Sequence, residues 1–218
     1  MRSFRKAHDA APSVSAGTGP GPATTPPAPE PPAATEAGAV AAEGRQEKAL
    51  RYVLGVLRLA LGWIFIWAFL DKLFALGYAT GVDPETGAVD RFGDAAWING
   101  GSPTEGFLGF ATTGPFAGFY QSIAGAAWAD WLFMLGLLGI GVALMLGIAM
   151  RITAVCGALL TVLMWTAVLP PANNPLIDDH IIYALVFVVL ALAGAGYTLG
   201  IGKQYERLSI VGKHAWLQ

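Results

Sequence analysis

Cysteine is almost missing from this 218-residue chain, in which Cys156 stands alone. A single thiol excludes an internal disulfide, a CxxC redox pair and a cysteine-only metal site. Charge is scarce as well, at 13% of residues where a soluble domain carries about 25%. The formal net charge of −2 leaves no basic surface for nucleic acid. Three histidines are too few for two bis-histidine haems. Gly194 and Gly196 form no nucleotide loop, because no strand pattern precedes them. No haem, flavin or metal signature is evident. Against these absences stand 55% hydrophobic residues and a mean hydropathy of +0.54, the composition of a small integral membrane protein.

Residues 1–46 differ from the rest. They hold eight of the fourteen prolines and almost no large apolar residues, which reads as a disordered tail. They lack the apolar run of a signal peptide. Four apolar stretches follow, each near the ~20 residues that cross a bilayer core. They run over about 50–70, 131–150, 152–170 and 181–200. Continuous apolar runs argue for helices over barrel strands, whose residues alternate. The expected fold is an all-α membrane protein, a four-transmembrane-helix bundle over 47–202 with a C-terminal segment at 203–218. Only Arg151 separates the second and third stretches, so a tight hairpin is expected there.

Basic residues set the expected orientation. Arg2, Arg5, Lys6, Arg45, Lys48 and Arg51 precede the first stretch, Arg151 joins the second to the third, and Lys203, Arg207 and Lys213 follow the fourth. The remaining loops carry Arg91 against Asp83, Glu85, Asp90, Asp94, Glu105, Asp130, Asp178 and Asp179. Both termini are therefore expected in the cytoplasm of a multi-pass cell-membrane protein, with acidic loops outside.

The outer loop at 75–130 is too long for a simple connector. Ser102-Pro103-Thr104-Glu105 fits a helix start, with Ser102 as cap and Glu105 closing a capping box. Gly114-Pro115 then breaks the run before FAGFYQSIAGAAW. Two short helices are expected, at the outer surface or dipping into the bundle. They either seal the bundle or form a lid over a lipid-accessible ligand site.

Few residues can carry chemistry. Arg58 lies about 12 Å into the first stretch, counting ~1.5 Å per residue. Gly55, Arg58, Gly62, Phe65, Phe69 and Lys72 share one helical face, which the glycines mark as inward. Arg58 either snorkels, pairs structurally, or binds an anion or a quinone carbonyl. Asp71 and Lys72 end the first stretch as anchoring charges or as ligand contacts. Asn174, Asp178, Asp179 and His180 lie between the last two stretches. Two carboxylates beside an imidazole can exchange protons, or simply cap a helix. Tyr183, one turn on, can donate to a carbonyl. Cys156 and the pairs Ala143/Gly147 and Ala154/Ala158 are expected to pack between helices.

The run LRLALGWIFIWAFLDKLF, the loop text WINGGSPTEGFLGFATTGPFAGFYQSIAG, the run DWLFMLGLLGIGVALMLGIAMR and NPLIDDHIIYALVFVVLALAGAGYTLG resemble the DoxX family. The branch concerned is related to the DoxD membrane subunit of bacterial thiosulfate:quinone oxidoreductase. The resemblance spans about Arg51 to Gly202. It implies a four-span component of a redox system coupled to the quinone pool, with quinone as co-substrate. In some members thiosulfate is oxidised to tetrathionate. It also implies a second protein subunit or a homo-oligomer as partner, besides the lipid bilayer. Asp178, Asp179 and His180 would move protons, while Arg58, Asp71, Lys72, Asn174 and Tyr183 would meet substrate or quinone. The rival expectation is a non-catalytic accessory subunit of a respiratory or redox-defence complex.

Overall fold

The computed structural model describes residues 33–217, which form helices and turns joined by loops. Residues 1–32 of the expected tail lie outside the described residues. The expected tail boundary at 46 shifts, because helix α1 spans Ala33–Phe74. Its first turns are rich in Ala, Glu, Gln, Lys and Arg, all strong helix formers. The compact unit Ala42–Gln218 holds everything that follows.

After α1 comes a long connection. It contains single turns at Trp97–Asn99 and Gly114–Phe116, a π-helical turn at Glu105–Ala111, and helix α2 at Ala117–Ile123. Helices α3 (Ala127–Leu146), α4 (Met150–Ala167) and α5 (Asp179–Leu192) complete the bundle. Short helices α6 (Gly202–Glu206) and α7 (Ser209–Lys213) close the chain.

Three helical segments are long and apolar enough to cross a membrane: Gly38–Phe74, Ala127–Leu146 and Met150–Ala167. Their outward faces carry exposed Trp63, Ile64, Leu132, Leu135, Val155 and Leu159. Apolar surface on this scale belongs in lipid rather than water.

Two expected boundaries move. The second stretch ends at Leu146 instead of 150, because Gly147 adopts φ +73 and its N–H turns back to the Ala143 carbonyl. A side chain there would also meet the Gly196 carbonyl oxygen at 2.7 Å. The hairpin turn is thus Gly147–Ala149, one step before Arg151.

The fourth stretch was expected to reach Gly200, but α5 stops at Leu192 after 14 residues. Gly194 turns the chain at φ +61, and Ala195–Tyr197 form a single tight turn. Buried backbone outside a helix needs partners for its polar groups. Arg58 supplies them, donating to the carbonyls of Ala195, Thr198 and Leu199.

The face of α1 read from the sequence does turn inward. Gly55, Arg58, Gly62 and Phe65 are buried, while Phe69 and Lys72 are half-buried. A Cβ on Gly62 would reach 2.9 Å from the Leu144 Cβ, and one on Gly141 would reach 2.8 Å from Ile66. Helices α1 and α3 therefore cross in close antiparallel contact, as small residues permit where lipid supplies no hydrophobic drive. The core joins Leu61, Phe65, Met134, Leu144, Phe187 and Leu190. Phe65 and Phe187 meet edge-on at 5.4 Å. Gly157 of α4 leaves room for the Phe187 ring, which any side chain there would strike. Ala154 packs in the core, whereas Cys156 is exposed on α4. It sits beside exposed Val155.

Candidate functional site

The bundle has two ends with different chemistry. At the hairpin end, by the α3–α4 turn, Arg58 is fully buried. Its five N–H groups meet five backbone carbonyls. Nε donates to Ala195 at 3.2 Å. Nη1 donates to Leu144 and, at 3.1 Å, to Met145. Nη2 donates to Thr198 at 3.2 Å and to Leu199 at 2.8 Å. Leu144 and Met145 lie in the last turn of α3, where carbonyls carry partial negative charge; that of Leu144 also accepts the Gly147 N–H at 3.2 Å. A guanidinium has five N–H donors, so none remains for a ligand.

At the opposite, loop end, two buried carboxylates hold the long connection. Asp71 accepts the N–H groups of Tyr78 and Ala79 at 3.1 and 3.0 Å. Asp130, in the first turn of α3, accepts from Ser102 Oγ at 2.8 Å, Thr104 N at 3.1 Å and Thr104 Oγ1 at 2.6 Å. Ser102 Oγ in turn accepts the Glu105 N–H at 3.1 Å. Its second partner is Asp130, and no bond from the Glu105 side chain back to Ser102 forms among the described residues. Further out, the N–H groups of Thr86 and Glu85 hold the Asp83 carboxyl below its usual range, at 2.8 and 2.9 Å.

Lys72 lies between these two ties. Its ammonium sits 5.9 Å from the Phe133 ring centroid, a cation–π approach. Among the described residues it makes no hydrogen bond or ion pair. It lines a cavity of about 740 Å³ with Asp94 and Glu105 on the polar side and Phe107, Phe110 and Met164 on the apolar side. That volume lies within the ~300–1,000 Å³ of small-molecule sites. Phe107, Phe133 and Met164 also line an adjoining apolar cavity against Leu132, Leu160 and Leu163. On its other side, Lys72 borders a groove with Trp63, Trp67 and Tyr78. Trp67 and Tyr78 meet edge-on at 5.0 Å.

The α4–α5 connection forms a third cluster. Asp178 caps α5, accepting the His180 N–H at 3.0 Å through Oδ1. Its Oδ2 lies 2.7 Å from His180 Nδ1. Asp179 is exposed and stands apart from this pair. Asn174 accepts the N–H groups of Leu176 and Ile177, closing a turn. Tyr183 packs against the core. None of these five residues lines the Lys72 cavity.

The structure thus distributes the eight candidate residues over three places. Asp71 and Lys72 stand at the loop end, Arg58 at the other end, and the remainder at the start of α5. Asp130 was read from the sequence only as one acid among eight. Its position three residues into an apolar helix was the available signal. Trp97 and Trp131 meet edge-on at 4.7 Å, and Trp165 Nε1 donates to the Leu176 carbonyl.

The chain matches no protein-family model, no curated protein and no solved structure. The site is therefore read from its own geometry.

Proposed function

We propose that this chain is the membrane component of a quinone-coupled redox system of the DoxX type, and that the Lys72 cavity takes the quinone ring. One observation carries the reading. A half-buried ammonium that makes no hydrogen bond among the described residues, with Asp71 as its charged neighbour, borders a cavity walled by Phe107, Phe110 and Phe133. A quinone asks for that pairing: an apolar planar ring with a carbonyl that accepts a hydrogen bond. The adjoining apolar cavity extends the space available to a hydrocarbon tail.

Reduction of a quinone takes two electrons and two protons. Joining two thiosulfates through a new S–S bond releases two electrons and gives tetrathionate. The Asp178–His180 pair lies outside the Lys72 cavity, so in this reading it exchanges protons with solvent rather than with the ring itself. Asp94 and Glu105 oppose a dianion in the Lys72 cavity, so thiosulfate is assigned to a second subunit or another copy of the chain. The same proposal makes α5 a short fourth span and places both ends of the chain in the cytoplasm, as the basic residues indicate.

The test is quinone binding and reduction in nanodiscs, with and without thiosulfate. Lys72→Met should weaken quinone binding about tenfold or more while leaving the unfolding midpoint within experimental scatter, as expected for a lost charged hydrogen bond. Unchanged binding in that variant overturns the reading. A second reading, an accessory subunit without catalysis, is favoured by Arg58, Asp71 and Asp130, each of which is spent on this chain's own backbone or hydroxyls. Unaltered activity of a co-purified complex carrying Lys72→Met and His180→Ala would establish it.

A further inference from the structure

A second polar cavity, of about 460 Å³, lies at the hairpin end between α1 and the segment that follows α5. Lys48, Arg51 and Lys203 line it, with Tyr52 and Tyr197 beside them. Glu47 is the acid of its lining, and it pairs with Arg51 at 2.6 Å. Two positive charges remain in excess. The quinone reading makes no use of this cavity, which lies at the other end of α1 from Lys72.

Its level along α1 indicates what it meets. From Tyr52 to Lys72 the helix rises about 30 Å. That equals the ~30 Å of a bilayer's hydrocarbon core. With Lys72 at one boundary, Lys48, Arg51 and Tyr52 fall at the other, where headgroups lie. Tyrosine is a residue of that boundary. Next to the cavity, Val53 and Val56 of α1 and Leu199 and Ile201 beyond α5 are exposed apolar side chains. A basic recess thus opens beside an apolar track, both built from the same two segments.

We propose that this recess binds the phosphate headgroup of an anionic phospholipid, whose acyl chains lie along Val53, Val56 and Leu199. Lys48 and Lys203 supply the charge excess, and Arg51 adds a guanidinium that Glu47 holds in place. A basic recess at a helix boundary is the usual chemistry of anionic headgroup recognition.

The test uses the full chain in nanodiscs of phosphatidylcholine with and without phosphatidylglycerol, reading lipid retained on the protein by native mass spectrometry. Phosphatidylglycerol should be enriched over phosphatidylcholine in the wild type. The Lys48→Gln/Arg51→Gln/Lys203→Gln variant should lose that enrichment by about tenfold or more, each cation near an anionic lipid adding severalfold. Arg207→Gln/Lys213→Gln, which removes two cations outside the recess, should keep it. Equal retention of both lipids in the wild type overturns the proposal. So does an equal loss in the two variants, which would make the effect one of general surface charge. Inorganic phosphate displacing the retained phosphatidylglycerol at millimolar concentration would assign the recess to a soluble anion and overturn the lipid assignment. Quinone binding at Lys72 is unaffected in every arm, so this result and the quinone result stand apart.

Discussion

Arg58 and Lys72 lie on the same face of the same helix, four turns apart, and have opposite fates. Arg58 is wholly buried, with five donors on five carbonyls. Lys72 borders a cavity, with the Phe133 ring near its ammonium and Asp71 as a charged neighbour. A cation inside a membrane helix is thus no single kind of evidence. Where backbone ends converge on it, the charge holds the fold together. Where loops and aromatic walls leave space beside it, the charge is available to a ligand. The deciding feature is the chain packed opposite, the α3 terminus in one case and the Glu105–Ala111 turn in the other.

The sharpest way to break this contrast is to remove Arg58. Arg58→Met should cost about 3 kcal/mol or more, because five carbonyls lose a donor, only Leu144 and Ala195 keep a backbone one among the described residues, and each orphaned buried group costs about 1–3 kcal/mol. Arg58→Lys, with three donors, should recover part of that loss. Denaturant unfolding in detergent measures both. A fully stable Arg58→Met that lost only quinone binding would reverse the assignment. Next comes Asp130→Ala, expected to cost about 1–3 kcal/mol at the loop end. Hydrogen exchange should rise over 102–126 while α4 stays protected, and uniform exchange across the bundle would show instead that Asp130 supports the whole fold. Lys72→Met should change stability by less than about 1 kcal/mol, as a half-buried charge with no hydrogen bond or close ion pair among the described residues warrants.

The smallest effect concerns Tyr197, whose hydroxyl donates to Glu206. That carboxylate, together with partial desolvation, raises the phenol above its ordinary value, against a smaller lowering by Arg151. A raised folded value means a contribution complete below about pH 10 and lost as pH climbs through the folded value. Solvent screening keeps it below about 0.5 kcal/mol. Tyr197→Phe should flatten the alkaline limb of the stability curve and leave neutral pH nearly unchanged. An identical alkaline limb in the variant would place the titration elsewhere.

The helices were legible because apolar length and glycine spacing are local properties. The inward face of Gly55, Arg58, Gly62 and Phe65 could be read from a wheel. The stop at Leu192 had a local signal in Gly194, which turns the chain at φ +61, but nothing nearby showed what would hold the turns beyond it. Past that glycine, a guanidinium 137 residues earlier takes up the carbonyls. The turn at Gly147 was visible as a glycine, but Arg151 was the more conspicuous break. The candidate site was read less well. Asp178 and His180 do meet, and Asp71 and Lys72 do stand at one helix end, but spacing alone gave no hint that Asp71 would close a loop. Nor could it show that Asp130 would gather Ser102 and Thr104.

The Arg58 cluster also sets a timetable for biosynthesis. Its acceptors lie 86 to 141 residues downstream. At roughly 5–20 residues per second, α1 leaves the ribosome several seconds before α3 and many more before Leu199. Throughout that interval a charged group sits on a nascent apolar segment without the carbonyls that later accept its hydrogen bonds. Snorkelling toward the interface then bears the cost of roughly 2.5–3.5 kcal/mol. The final place of the first helix is fixed only when the last turns arrive.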